Sequence, residues 1–267
     1  MYTDISTHED WFTRFTSAYC RAYPDYGVPM ELKIRHTAAV LLHARRIIDA
    51  HHFDSPSARA TVLAALYHDV GRFPQYARWQ TFKDSLSVNH GLLGLKTLKR
   101  ENAVLAAESP AIRRLVLAAV GLHNKFAVAT HLPVDVQQVT HAVRDADKCD
   151  IIRIMVEELG KSGPKNKAVV LHVQDDPALW TPKVVEDILN GKVAAYADLH
   201  SINDFRLLLA SWLYDLRFAV SKVFIKHSGQ IEQLLDTLPP DAPVQAAKKR
   251  LLTALAEVPA TCNFVGV

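Results

Sequence analysis

Apolar residues recur at helical spacing along almost the whole chain, and no two alternating apolar and polar runs are joined by a tight turn. A sequence with that periodicity can bury its apolar stripes only by packing helix on helix, so the fold class is predicted to be all-α. Hydrophobic residues make up 49% of the 267 positions, enough for a substantial core, and the chain reads as a single domain over 1–267. The first predicted helix covers Glu31 to Ala50. The second starts near Ser55-Pro56, with a capping serine and a proline in the first turn, and runs to Asp69, where Gly71 and Pro74 are expected to stop it. Further helices are predicted from His90 to Arg100, from Ser109-Pro110 to His123, and from Pro133 past Ile154. Beyond about residue 160 the chain reads as a loop and helical extension, 161–267. It has a polar loop over Lys161–Lys167, a short strand over Val169–Val173 and a short helix over Val184–Asn190. A long amphipathic helix over Asn203–Phe224, with Phe205, Leu208, Leu209, Trp212, Leu216 and Val220 on one stripe, is expected to pack against the first half. Two shorter helices follow, near Ile231–Leu238 and Pro243–Val258.

Composition excludes several classes of function. The 31 basic and 28 acidic residues are mixed along the chain, without the blocks that mark nucleic-acid arms or membrane-binding tails. No nucleic-acid polymer or membrane is therefore expected as a partner. The first ten residues lack a basic start and an apolar stretch, and a cytoplasmic location is the default expectation. Cys20, Cys149 and Cys262 form no C-x-x-C pair, so any metal is expected to be held by nitrogen and oxygen.

The residues able to do so are spread over the helices. His68 and Asp69 stand side by side at the end of the apolar run Leu63–Tyr67, where free carbonyls and the negative end of the helix dipole favour a cation. At about 100° per residue, His36 lies within about 40° of Leu32, Val40, His43 and Ile47, in the middle of an apolar stripe. A histidine there is more often a hydrogen-bonded core residue than a ligand. His43, two turns away at roughly 10 Å, is too distant to share one ion with His36 and is assigned a structural role. Asp145, Asp147 and Asp150 compete for a last acidic position. Val136, Thr140, Val143, Ile151 and Ile154 all fall within about 40° of Asp147, which is thus predicted to be the buried one, and an unpaired carboxylate there suggests a cation or a salt bridge.

The ordered series His36, His68-Asp69, His90 in Asn89-His90-Gly91, His123 in Leu122-His123-Asn124 and Asp147 in Ala146-Asp147-Lys148 resembles the HD superfamily of metal-dependent phosphohydrolases. It is similar to the variant with two additional histidines, over about residues 30 to 160. The resemblance implies an enzyme whose metal ligands are His36, His68, Asp69, His90, His123 and Asp147. One or two divalent ions would be held, with Fe, Mn, Ni, Co, Zn and Mg not distinguished by the ligands.

Such ions would activate a water and polarise a phosphoryl oxygen, hydrolysing a phosphoester in a small phosphorylated metabolite or nucleotide. Asp69 and Arg72 are the expected catalytic residues, and Arg72, Lys83 and Lys125 the expected contacts to the phosphate. Lys148 is expected to pair with an acidic neighbour. The segment Arg72–Asp84 could wall the pocket, with Tyr76, Trp79 and Phe82 either stacking on a nucleobase or packing down on the domain. The alternative activity is that of dinuclear-iron HD-type oxygenases, which act on a small chelating substrate with nearly the same ligands. Neither substrate nor oligomeric state is set by the sequence, and a homo-oligomer stays open.

Overall fold

The computed structural model describes residues 4–161, 170 and 173–261. Every regular element among them is helical, and the only β contact is an isolated bridge between Gln174 and Ser201. The polar loop and the short strand expected over 161–173 lie almost wholly outside the described residues. The chain divides into two compact units, Met1–Asp150 and Ile151–Val267.

The first unit contains α1 (Ser6–Ala22), α2 (Gly27–His51), α3 (Ser55–Tyr67), α4 (Arg72–Trp79), α5 (His90–Arg100), α6 (Pro110–Leu122) and most of α7 (Val134–Leu159). Helix α3 is its axis and packs on both α2 and α6. From Ser57 to Tyr67 every residue of α3 except Arg59 is buried, and Thr61 is accommodated because its hydroxyl donates to the Ser57 carbonyl at 2.8 Å. The helix starts one residue earlier than the Ser55 cap predicted, because the Asp54 carboxylate accepts the Ser57 amide at 2.8 Å. Asn89 and Ser109 cap α5 and α6 in the same way. Helix α1 is absent from the sequence-based expectation, although Phe12, Phe15 and Tyr19 recur at helical spacing along it and set their rings around Phe73 with centroids 6.0–6.2 Å apart.

Two expectations near the doublet change. The chain does not leave helical geometry at Gly71 and Pro74: α4 starts at Arg72, and Pro74 lies in its first turn, where no intrahelical N–H is needed. Gly71 has an ordinary helical φ of −67°. Its lack of a side chain serves close approach, since a Cβ there would lie 2.2 Å from the His90 carbonyl oxygen and 2.5 Å from the Gly94 amide nitrogen. The first turn of α5 therefore rests directly on the turn that follows the doublet.

The second unit contains α8 (Pro182–Leu189), α9 (Ile202–Ser211), α10 (Ala219–Ser228), α11 (Gln230–Asp236) and α12 (Ala242–Glu257). Asp204 closes a capping box with Ser201 and also accepts the Thr181 amide and hydroxyl at 2.7 and 2.8 Å, tying the preceding loop to the start of α9. The long helix expected over Asn203–Phe224 is broken. After Ser211, whose hydroxyl donates to the Leu208 carbonyl, the chain tightens into a 3-10 turn at Trp212–Tyr214 and reaches an extended Phe218 before α10 begins. Trp212, Leu213 and Leu216 are all buried in the bend. No helix among the described residues is long and apolar enough to cross a membrane.

Candidate metal centre

Six side chains from five segments of the first unit converge. His36 comes from the middle of α2, His68 and Asp69 from the turn after α3, His90 from the first residue of α5, His123 from the end of α6 and Asp147 from α7. Their donor atoms form two groups, His36, His68 and Asp147 in one and Asp69, His90 and His123 in the other, each with ligand atoms within 4.8 Å of one another. Asp69 faces both groups. Its Oδ2 lies 3.7 Å from Nε2 of His36 and of His68, whereas its Oδ1 lies 3.5 Å from Nε2 of His90 and 4.0 Å from Nε2 of His123. All six residues that the sequence singled out as ligands are thus brought together.

The four imidazoles are anchored through the nitrogen that faces away from the centre. Nδ1 of His68 lies 2.8 Å from the Ala65 carbonyl and Nδ1 of His123 lies 2.8 Å from the Val120 carbonyl. Nδ1 of His36 lies 2.6 Å from Asp150, and Nδ1 of His90 lies 2.8 Å from Asp84. A carbonyl or carboxylate can only accept, so each Nδ1 carries the proton, and in a neutral ring Nε2 keeps its lone pair. Burial, reinforced by the Arg72 charge, lowers the pKa of His90 to about 4; burial and the neighbouring His68 do the same for His123. Both rings are neutral near pH 7, yet their Nε2 atoms stand only 3.1 Å apart with two lone pairs face to face. A cation between them resolves that opposition, and this donor set of imidazole and carboxylate fits a divalent metal.

The other group differs in its proton. Burial pulls the pKa of His36 down, but hydrogen bonds to Asp147 and Asp150 outweigh it and raise the net value. His36 Nε2 stands 2.9 Å from Asp147 Oδ1 and 3.2 Å from His68 Nε2. Burial lowers the pKa of His68. For Asp69 burial works upward, but the charges of Lys33, His68, Arg72 and His90 prevail and hold the carboxyl well below the usual carboxylate range. Asp147 is likewise held low by His36 against the effect of burial.

Asp147 is not the most buried of the three acids, contrary to what its place on the apolar stripe predicts. Asp145 and Asp150 are 1% and 0% exposed, whereas the side chain of Asp147 keeps 17% of its surface open. Helix α7 is buried on nearly all sides between Ala142 and Asp150, so burial does not separate the acids; Asp147 differs because it faces the centre. Asp150 holds the outer nitrogen of His36. His43 is buried and belongs to neither donor group.

Arg72 is more constrained than a free phosphate contact would be. Its Nη1 donates to Gln75 Oε1 at 2.9 Å, to the Phe82 carbonyl at 2.5 Å and to Asp84 Oδ1 at 3.1 Å, and its Nε lies 3.4 Å from Asp69 Oδ1. Lys125 is exposed and Lys83 half-buried; among the described residues, no hydrogen bond or ion pair joins either ammonium to the centre. The cation that does reach it is Lys33, one helical turn before His36, whose Nζ donates to Asp69 Oδ2 at 2.8 Å and lies 5.2 Å from the centroid of the Phe82 ring. The spacing from Lys33 to His36 places both on one face of α2 and was the available signal. Phe82 is buried with Tyr76 tilted against it at 4.6 Å, so these two rings pack down on the domain, whereas Trp79 is half-buried with the Arg78 guanidinium 4.7 Å from its ring. Lys148 is buried beside Asp147.

Fold and centre together define an all-helical domain that gathers histidines and aspartates from separated helices into a site for divalent cations. Comparison with protein families gives the domain: residues 34–155 match the HD domain, so this part of the chain is an HD domain, of the superfamily of metal-dependent phosphohydrolases. Comparisons with curated proteins and with solved structures find no match.

Proposed function

We propose that the protein is a phosphohydrolase that uses two divalent ions, held by the donor groups on either side of Asp69, to hydrolyse a phosphoester of a small phosphorylated metabolite or nucleotide. The observation that carries this reading is the placement of the two Asp69 oxygens, each toward a different pair of histidine Nε2 atoms. His36, His68 and Asp147 would hold one ion and His90 and His123 the other. Ions bound there would supply a water of lowered pKa and neutralise charge on the phosphoryl oxygens. The water oxygen forms a new bond to phosphorus, the ester P–O bond breaks with its electron pair on the departing oxygen, and that oxygen takes up a proton.

The chain contributes position and charge. Lys33, with its side chain 14% exposed, is placed to meet a phosphoryl oxygen at the edge of Asp69, while Arg72 holds Asp69 and Asp84 in place. The test is phosphate release from a panel of phosphorylated metabolites by protein loaded separately with Mn, Fe, Co, Ni, Zn or Mg. Activity is expected to vanish in Asp69→Ala, and Lys33→Met is expected to raise KM more than it lowers kcat. Oxygen consumption coupled to substrate loss, with no phosphate released, would replace hydrolysis by oxygenase chemistry.

A further inference from the structure

Asp84 accepts more hydrogen bonds than any ligand of the centre, although the sequence pattern gives it no role. It opens the short 3-10 turn Asp84–Leu86 ahead of α5. Its Oδ1 accepts from Arg72 Nη1 at 3.1 Å and from Gln75 Nε2 at 2.9 Å. Its Oδ2 accepts from His90 Nδ1 at 2.8 Å, from the His90 backbone amide at 3.3 Å and from Asn124 Nδ2 at 3.1 Å. These partners correspond to the three members of one donor group. His90 is held directly, Asn124, whose Nδ2 also lies 3.2 Å from His90 Nδ1, is the residue that follows His123, and Asp69 is reached through Arg72, whose Nε lies 3.4 Å from Oδ1. No hydrogen bond links Asp84 to His36, His68 or Asp147 among the described residues; there the carboxylate on the outer nitrogen is Asp150.

We infer that Asp84 is the positioning residue that assembles the half-site of Asp69 Oδ1, His90 and His123, so that its carboxylate determines whether the protein holds one ion or two. The inference rests on the two-ion reading above and adds to it that the half-sites are separable, each with its own outer carboxylate. A carboxylate accepting from Nδ1–H fixes the tautomer and makes Nε2 a better donor to a metal. With asparagine in its place, the amide oxygen can still accept, but the amide NH2 then faces the donors that the replaced oxygen now satisfies. Because the side chain of Asp84 is 31% exposed and asparagine has the same shape, the fold is expected to persist.

The experiment is titration of the metal-free full chain with Mn2+ by calorimetry, with metal content measured after desalting, for the wild type, Asp84→Asn, Asp84→Glu and Asp150→Asn. Two binding steps are expected in the wild type. Asp84→Asn should weaken one step by about 10–100-fold and leave the other at wild-type affinity, and Asp150→Asn should weaken the opposite step. Asp84→Glu should recover part of the lost step, because it restores the charge. Thermal unfolding of the metal-free proteins reports whether each variant folds. If Asp84→Asn does not fold, Asn124→Ala serves instead and should weaken the same step alone. Two ions bound at wild-type affinity by the asparagine variant, or equal weakening of both steps, would overturn the assignment of Asp84 and leave the two-ion reading intact. A wild-type protein that binds a single ion, unaffected by His90→Ala, would remove both.

Discussion

Replacing Gly71 by alanine tests whether the centre depends on how closely the helices approach one another. The added Cβ would stand 2.2 Å from the His90 carbonyl oxygen and 2.5 Å from the Gly94 amide nitrogen, where ordinary van der Waals contact begins at 3.4 Å. The shortfall of about 1.2 Å is against backbone, so no side-chain rotamer relieves it, and either α5 or the turn after the doublet must retreat by about 1 Å. Overpacking of this kind costs about 1–3 kcal/mol, or a fall in Tm of roughly 2–4 °C per kcal/mol for a unit of this size. The functional effect should be larger. Metal–ligand distances tolerate only about 0.2 Å, and a shift of α5 carries His90 away from Asp69 and His123 together. Gly71→Ala is therefore expected to lose at least one bound ion while remaining folded at low temperature. A Cβ added at Gly27 would meet nothing within 4 Å, so Gly27→Ala is the control and should change neither Tm nor metal content appreciably. Differential scanning calorimetry with metal analysis reads both effects. A Gly71→Ala protein with wild-type Tm and a full complement of metal would refute the reasoning.

Two further outcomes follow from the polar groups around the site. Because the hydrogen bonds to Asp147 and Asp150 keep His36 protonated to a higher pH than an ordinary imidazole, a metal must displace that proton; affinity should fall as pH drops, with protons released on binding. Calorimetry in buffers of different ionisation enthalpy measures the release, and an affinity independent of pH between about 6 and 8 would contradict the assignment. On the far side of the doublet, the Tyr67 hydroxyl donates to His8 Nδ1 at 2.7 Å, while His8 Nε2 donates to Glu108 at 2.9 Å. Tyr67→Phe should leave Nδ1 buried without a partner and destabilise by about 1–3 kcal/mol in chemical denaturation, with metal affinity unchanged.

The candidate ligands were legible in the sequence because each lies in a short motif, and because their order along the chain survives whatever loops separate them. The residues that orient them were not. Asp84 and Asn124 meet across forty positions of sequence, and Asp150 is recognisable only once α7 is seen to turn both Asp147 and Asp150 toward one imidazole. Lys83 has the charge that suggests a phosphate contact, yet its neighbour Asp84 carries the interactions, since a bond to His90 Nδ1 needs an acceptor. The wheel singles out Asp147, which faces His36 and His68, on a mistaken ground, because a helical wheel assumes one wet face and this stretch of α7 has almost none. The all-α class followed from periodicity alone. The break after Ser211 did not, because a bend that buries Trp212, Leu213 and Leu216 leaves the apolar spacing on either side of it intact.

The anchoring of all four imidazoles through Nδ1 has a consequence for which element the protein will accept. A ring tied at its back cannot swivel toward an ion of another radius without giving up that tie, so a poorly fitting ion must be met by shifting α2, α3, α5 and α6. Discrimination among chemically similar ions is then exercised by the stiffness of the interior, and loosening the packing would make the protein less choosy before it made it less stable.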